Sequence, residues 1–231
     1  AQRPTADRSR VRIIEIETGK TLAEHDLEIR AQLLRRSAAG GLLLILAHRD
    51  RPGPPVLWSM ERLRAVARLD GHKGVVASAR FVEDDRRILT TAGDSVARLW
   101  DAADGRLLAS FTSPVYLTDA VLDASDHAVI GAAADGAMYV WISEISSEAP
   151  PMIWRVPAHR SPLVALRREG NELITRSARG EISRWALGPA PTSDAIAELV
   201  RCAPLKVASA TGLVDQQPCF PTQQTGRFPG R

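Results

Sequence analysis

Four tryptophans recur along this chain at a nearly constant interval. Trp58, Trp100, Trp141 and Trp185 are separated by 42, 41 and 44 residues, and each lies in a short apolar run. A fixed interval of roughly 40–45 residues is the signature of a protein assembled from copies of one small structural unit. Such a unit buries its apolar surface only against its neighbours, so the interval constrains the whole fold. We therefore expect the chain to consist of repeats.

Three of the five histidines give a second, independent spacing. His25, His72 and His159 each precede an alternating apolar run by three to five residues. Their separations are 47 and 87 residues, and the second value corresponds to two repeats. Alternation of apolar and polar residues is typical of half-buried β-strands. The histidines thus mark one equivalent position in three units.

The most complete unit runs from residue 69 to residue 108. It contains Gly71-His72, a polar turn at Glu83-Asp84-Asp85, a tight turn at Gly93-Asp94 and the pair Trp100-Asp101. This stretch closely resembles one tryptophan–aspartate (WD) repeat, the unit of a β-propeller blade. The resemblance implies an all-β fold in which each repeat forms a four-stranded blade. About four to five blades are represented in this sequence.

The spacing of the repeats predicts a division of the chain into three parts. Residues 1–10 form a flexible lead-in, residues 11–188 form the blades, and residues 189–231 form a small mixed, partly disordered appendage. The units fall at 11–28 (partial), 29–69, 70–112, 113–157 and 158–188. In the appendage we expect a short helix after Thr192 or Ser193 and a small hairpin around Gly212.

The number of blades bears on what kind of protein this is. The first unit holds only the third and fourth strands of a blade, the chain begins at Ala1, and WD propellers favour seven blades. The resemblance therefore implies the C-terminal blades of a longer bacterial protein, following an NTPase, caspase-like or kinase-like effector domain. The excess of arginine over lysine fits a bacterium of high GC content. The alternative is a small stand-alone propeller, in which strand 11–17 or 22–28 of this chain closes the last unit.

In the WD family a histidine, a hydroxyl residue, an aspartate and the repeated tryptophan form a hydrogen-bonded set. The third unit carries all four, and the other units carry parts of the set. The residues are His72, Thr90 or Thr91, Asp94 and Trp100, then Asp135 and Trp141, His159 and Trp185, and His25 and Trp58. Arg179 stands where the fifth unit should have its aspartate, and a longer loop displaces Asp50.

A His–Asp–Thr set also resembles a catalytic triad. Nucleophilic catalysis needs an exposed hydroxyl beside its base, with an oxyanion site next to it. In the repeat these groups face the interior and end at a tryptophan, so we interpret the set as structural. The sequence shows no zinc motif, phosphate-binding glycine loop or nucleophile elbow, so we expect no catalytic, cofactor or metal residues.

The composition restricts the class of partner. The net charge is +3 and the arginines are scattered singly or in pairs, without a run of five cations. Aromatic residues make up only 5% of the chain, which leaves no visible stacking platform for nucleic acid. The longest apolar run, 42–47, is too short to cross a bilayer, and Cys202 and Cys219 cannot form a disulfide framework. We expect a cytoplasmic protein.

These observations predict a non-enzymatic scaffold or sensor that binds protein partners through its rim of loops. The predicted partner-binding residues follow the repeated histidines or lie in the protruding loop 49–54; they are Asp26, Lys73, Arg160, Arg49 and Arg51. A plain solvated loop is the alternative for each. Two other functions stay open: a propeller enzyme with channel carboxylates, and a nucleic-acid scaffold whose paired arginines gather on one face.

Overall fold

The computed structural model describes residues 9–27, 29–122, 128–142, 152–170, 172–186, 208–209 and 212–213. The chain divides into two compact units, Ala1–Leu187 and Gly188–Arg231. No helix within the described ranges is long and apolar enough to cross a membrane. The helix predicted after residue 192 lies outside the described residues.

The first unit consists of five antiparallel sheets that follow one another along the chain. Sheet 1 pairs β1 (Ser9–Ile14) with β2 (Thr21–Leu27). Sheet 2 holds β3 (Ala31–Arg36), β4 (Leu42–Ala47), β5 (Val56–Ser59) and β6 (Arg64–Arg68). Sheet 3 holds β7 (Val76–Val82), β8 (Arg87–Ala92), β9 (Val96–Asp101) and β10 (Leu107–Thr112).

The last two sheets of this unit continue the pattern. Sheet 4 holds β11 (Leu117–Leu122), β12 (Ala128–Ala133), β13 (Ala137–Ile142) and β14 (Met152–Pro157). Sheet 5 holds β15 (Leu163–Glu169), β16 (Glu172–Ser177) and β17 (Ile182–Ala186). In every sheet each strand pairs with the next one in sequence, so each is a simple meander.

The second unit contains one small hairpin within the described residues. Ala208–Ser209 (β18) pairs with Gly212–Leu213 (β19). The hairpin therefore includes the expected glycine, and Gly212 is the first residue of its second strand.

Apolar side chains join each sheet to the next. Trp100 of sheet 3 packs with Leu44 and Leu57 of sheet 2, and Trp141 of sheet 4 packs with Leu89 and Leu99 of sheet 3. Trp58 meets sheet 1 and Trp185 meets sheet 4 in the same way. The repeated tryptophan therefore always faces the preceding sheet. Burial of such side chains is worth roughly 25 cal/mol per Å² of apolar surface, so these contacts stabilise the stack.

Because the sheets are meanders, their connections lie at two opposite ends. The end that we call the loop end carries the connections 69–75, 93–95, 134–136 and 158–162, and the end that we call the turn end carries 83–86 and 102–106. At the loop end the His159 N–H donates to the Gly136 carbonyl at 2.9 Å. Gly136 has a φ of +79°, and a Cβ there would lie 2.3 Å from the His159 oxygen, so only glycine fits this approach.

Candidate functional site

A buried group of four side chains joins the loop end to the middle of sheet 3. His72 Nδ1 lies 3.1 Å from each carboxylate oxygen of Asp94, and His72 Nε2 lies 2.7 Å from Thr90 Oγ1. The Trp100 indole N–H donates to the same hydroxyl oxygen at 2.9 Å. Thr90 is fully buried and the His72 side chain is 2% exposed. The structure thus brings all four predicted residues together, and it is Thr90, not Thr91, that joins the imidazole to the indole.

The electrostatics of this group favour a neutral histidine beside an ionised aspartate. Burial lowers the pKa of His72, and the nearby Arg98 guanidinium lowers it further, against the attraction of Asp94. Burial raises the pKa of Asp94, but hydrogen bonds from the Lys73 backbone N–H and from Arg98 outweigh it and bring the pKa to about 2. A neutral imidazole can then donate from Nδ1 to Asp94 and accept the Thr90 proton at Nε2.

Sheet 5 has a closely similar group with a different acid. His159 Nε2 lies 2.9 Å from Thr175 Oγ1, which also accepts the Trp185 indole N–H at 3.0 Å. The carboxylate beside His159 Nδ1 belongs to Glu181, at 3.4 Å. Arg179, which stands at the aspartate position in the sequence, is exposed. Glu181 escaped the sequence analysis because the turn places the acid two residues later than the aligned position.

In sheet 4 the tryptophan N–H finds its hydrogen-bond acceptor without a histidine or a hydroxyl. Gly131 lies in the register that Thr90 has in sheet 3, and a Cβ there would lie 2.9 Å from the Trp141 ring. The Trp141 indole N–H instead donates to the Thr112 carbonyl at 3.2 Å. Asp135 accepts hydrogen bonds from the Tyr139 hydroxyl at 3.1 Å and from Arg155 Nε at 3.0 Å. Burial and the Asp135 charge raise the pKa of Tyr139.

Sheet 2 lacks the group altogether. Ile45 takes the register of Thr90, so no hydroxyl faces Trp58, and the Trp58 indole nitrogen is buried without a partner among the described residues. His25 lies in strand β2, not in a loop before β3, and its exposed ring meets Trp58 edge-on at 5.1 Å between centroids. Asp50 lies 3.3 Å from His48 Nδ1 in the protruding loop.

These groups are arranged for support and not for reaction. The hydroxyl of Thr90 is fully buried and already hydrogen-bonded to an imidazole and an indole, so no substrate atom can approach it. Thr175 is equally buried in sheet 5. In the described ranges no three His, Cys, Asp or Glu side chains lie close enough to hold a metal ion.

Most of the predicted partner-binding residues lie at the loop end. Lys73 and Arg160 are exposed in the connections that enter β7 and β15, and Arg49 and Arg51 are exposed in the loop between β4 and β5. Asp26 differs, because it lies within β2 and accepts a hydrogen bond from Arg10 Nε at 2.6 Å. Four of the five residues therefore share one end of the sheets.

A polar centre that the sequence did not indicate lies among the first strands of sheets 3, 4 and 5. Asp119 of β11 is 7% exposed and accepts hydrogen bonds from Ser78 Oγ at 2.6 Å and from Arg80. Its other oxygen accepts the Leu166 backbone N–H at 3.0 Å. These partners are up to 47 residues away in sequence, so no local pattern could identify the centre.

No family model matches this chain. Eukaryotic translation initiation factor 3 subunit I of Brugia malayi is 29% identical over 94 residues, which are 41% of this chain and 27% of that protein. The guanine nucleotide-binding protein subunit beta of Oryza sativa subsp. japonica is 29% identical over 90 residues, which are 35% of this chain and 23% of that protein. The chain thus spans about a quarter of the length of these curated relatives.

Two solved structures of designed proteins share the fold. The computationally designed Ika4 protein matches with a TM-score of 0.57 and 21% identity, over 70% of this chain and 94% of that chain. The computationally designed Ika8 protein matches with a TM-score of 0.61 and 23% identity, over 79% of this chain and 54% of that chain. Both curated relatives are WD-repeat proteins, which supports that family for this chain. Together with the antiparallel sheets they confirm the predicted fold class, a WD-repeat β-propeller.

Proposed function

We propose that this chain is a non-enzymatic platform that binds protein partners at the loop end of its blades. Its two curated relatives are WD-repeat proteins, and proteins of this family are generally scaffolds and not enzymes. A role as a sensor module in a larger, cytoplasmic bacterial protein extends the same proposal. The excess of arginine over lysine in the sequence supports the bacterial source.

One structural observation carries the proposal: the buried polar group in sheet 3 directly fixes an exposed loop. The backbone N–H of Lys73 donates to Asp94 Oδ2 at 3.0 Å, so the carboxylate that orients His72 also holds the loop. The Gly136 carbonyl holds the connection before Arg160 in a similar way, by accepting the N–H of His159. Loops held on a rigid scaffold bind partners with little loss of conformational entropy.

The two other functions have less support. A propeller enzyme needs free carboxylates, whereas Asp119 is paired with Arg80 and accepts backbone and hydroxyl donors. The paired arginines flank the turns between first and second strands; they are Arg35, Arg36, Arg86, Arg87, Arg167 and Arg168. Acidic residues share these turns, and Glu83 is paired with Arg87. A mixed-charge surface is poorly suited to a phosphate backbone.

Affinity capture with charge-reversed loops tests the proposal. The wild-type chain and K73E/R160E are used to capture proteins from a lysate of the source organism, with quantitative mass spectrometry. R62E/R64E makes the same charge change on exposed arginines of sheet 2 and serves as the control. We expect one or more proteins to be recovered in equal amounts with wild type and R62E/R64E. Their recovery with K73E/R160E should be at least tenfold lower. Equal recovery by all three would overturn the proposed binding surface.

A further inference from the structure

The connection 113–116, which leads from β10 into β11, lies at the loop end between two of its turns. The Ser113 N–H donates to the Ser95 carbonyl at 2.9 Å, and the Ala134 N–H donates to the Tyr116 carbonyl at 2.9 Å. Three connections at this end enter the first strands of sheets 3, 4 and 5, and this one is the middle of the three.

The middle connection differs from its two neighbours in the side chain that it exposes. Lys73 and Arg160 each stand three residues before a first strand, and Pro114 takes that place before β11. Tyr116 follows it and is 40% exposed, whereas the other described Phe, Trp and Tyr side chains are buried or half-buried. The loop end therefore presents one aromatic ring between two connections that each carry an exposed cation.

Two glycines bring the Tyr116 ring close to the connection of Lys73. A Cβ on Gly93 would lie 3.8 Å from Tyr116 Cε2 and 3.8 Å from Gly74 Cα. A Cβ on Gly74 would lie only 3.0 Å from the Gly93 backbone, so the two main chains are in contact. The ring thus lies across Gly93 from the residue that follows Lys73, and the aromatic and the cation belong to one surface.

The Lys73 ammonium gives this surface a positive charge that the nearby acids do not neutralise. The side chain is exposed, and its three N–H donors form no hydrogen bond or ion pair with the residues that the structure describes. The three aspartates of the adjoining connections each have an arginine partner; the pairs are Asp94–Arg98, Asp135–Arg155 and Asp70–Arg68. An acidic group of a partner would therefore meet an uncommitted cation here.

We propose that Tyr116 and Lys73 form the anchor point of the loop-end surface and bind a partner segment in which a carboxylate adjoins a large apolar side chain. The apolar side chain packs on the Tyr116 ring, which offers a large and rigid contact area. The carboxylate pairs with the Lys73 ammonium. Exposed ion pairs contribute little energy, so the ring supplies most of the affinity and the charge selects an acidic segment. This anchor point rests on the proposed function, because it lies on the same surface, and it adds the chemistry of the partner.

Selection from a phage-displayed library of random dodecapeptides tests this, because it presupposes no particular partner. We expect the enriched peptides to carry an acidic residue beside a large apolar one. Tyr116→Ala should weaken these peptides at least tenfold, and Tyr116→Phe should bind nearly as well as wild type because it keeps the ring. Leu107→Ala is the matched control, since it removes a side chain that is 43% exposed at the turn end, and it should bind like wild type.

A readout in the wild-type chain makes the test independent of how well the variants fold. The full sequence contains two tyrosines, so the ring signals of Tyr116 in a nuclear magnetic resonance spectrum are assigned by their loss in Tyr116→Phe. Enriched peptides should shift these signals saturably. K73E should weaken the same peptides severalfold, because it places a like charge beside their carboxylate.

Four results would overturn the anchor point: no enrichment of acidic peptides, no shift of the Tyr116 signals, normal binding by Tyr116→Ala, or normal binding by K73E. An equal loss with Leu107→Ala would also overturn it, because the effect would then not be local. In the capture experiment, a partner that is lost with K73E/R160E but retained by Tyr116→Ala would overturn this inference and leave the proposed function standing.

Discussion

His72 Nε2 and Thr90 Oγ1 lie 2.7 Å apart in the interior of sheet 3, 18 residues apart in sequence. The same threonine hydroxyl accepts the Trp100 indole N–H, so one oxygen joins strands β8 and β9 to the connection that precedes β7. Buried polar groups of this kind stabilise a fold only when all members are satisfied. The relationship therefore links the repeat pattern to the rigidity of the loop end.

Removing the Thr90 hydroxyl should lower the free energy of unfolding substantially. Thr90→Val preserves the shape of the side chain but leaves the His72 nitrogen and the Trp100 N–H without their partner. We expect a loss of about 3 kcal/mol in the free energy of unfolding, measured by urea titration with tryptophan fluorescence. The adjacent Thr91 supplies the control, because its buried hydroxyl has no partner among the described residues. Thr91→Val should be neutral or slightly stabilising, and equal losses at the two positions would contradict the account.

Stability should fall as the pH is lowered, in two stages. Because burial lowers the pKa of His72, the unfolded chain takes up a proton below about pH 6.5 that the folded chain refuses, so stability declines from there downwards. The Asp94 pKa of about 2 gives stability that is present above about pH 3.8 and is lost as the pH falls towards 2. That second loss is about 2 kcal/mol.

Urea titrations between pH 8 and pH 2 would measure both stages. In His72→Gln the first stage should shrink, because the group that titrates is gone. If wild type and His72→Gln show the same slope between pH 7 and pH 5, the assignment to His72 is wrong.

Substitution of Gly131 should destabilise the chain even when the new residue is alanine. A Cβ there would lie 2.9 Å from the Trp141 ring and 3.0 Å from Leu117, both fully buried side chains of the same sheet. We expect Gly131→Ala to destabilise the chain by about 1–3 kcal/mol and to alter the fluorescence of Trp141. A Cβ added at Gly41 would meet no atom within 4 Å, so Gly41→Ala is the matched control and should change stability little.

Two buried tryptophans should differ in their tolerance of phenylalanine. Trp100→Phe removes a hydrogen bond to Thr90, whereas Trp58→Phe removes an indole N–H that has no partner among the described residues. Both changes leave a similar cavity, so the difference reports the Trp100 hydrogen bond together with the cost of the unpaired Trp58 donor. We expect Trp100→Phe to cost about 1 kcal/mol more than Trp58→Phe by thermal or urea unfolding. An equal cost would show that the Trp100 bond contributes nothing.

The sequence was informative where structure follows from local spacing. The turn expected at Glu83-Asp84-Asp85 connects β7 to β8 in the structure, and the tight turn expected at Gly93-Asp94 connects β8 to β9. Repeated tryptophans and glycine-containing turns determine these positions, because strand length and turn chemistry are local properties. The all-β fold class was predictable for the same reason.

Contacts between sheets were not predictable in this way. The pairing of Arg80 with Asp119 spans 39 residues, and the Arg80 contact with Leu166 spans 86. Glu181 was missed because a turn shifted the acid from its aligned position. Ile45 and Gly131 showed no local signal that a hydroxyl was missing opposite a tryptophan. Such substitutions become visible only when the facing strand is known.

Hydrogen exchange is the measurement that tests the central claim most directly. The chain is compared alone and bound to the protein most enriched in the capture experiment. We predict slower amide exchange in the connections 69–75 and 158–162, which carry Lys73 and Arg160, with the buried groups of sheets 3 and 5 unchanged. Exchange that is unaltered in both connections would contradict a partner-binding surface at the loop end.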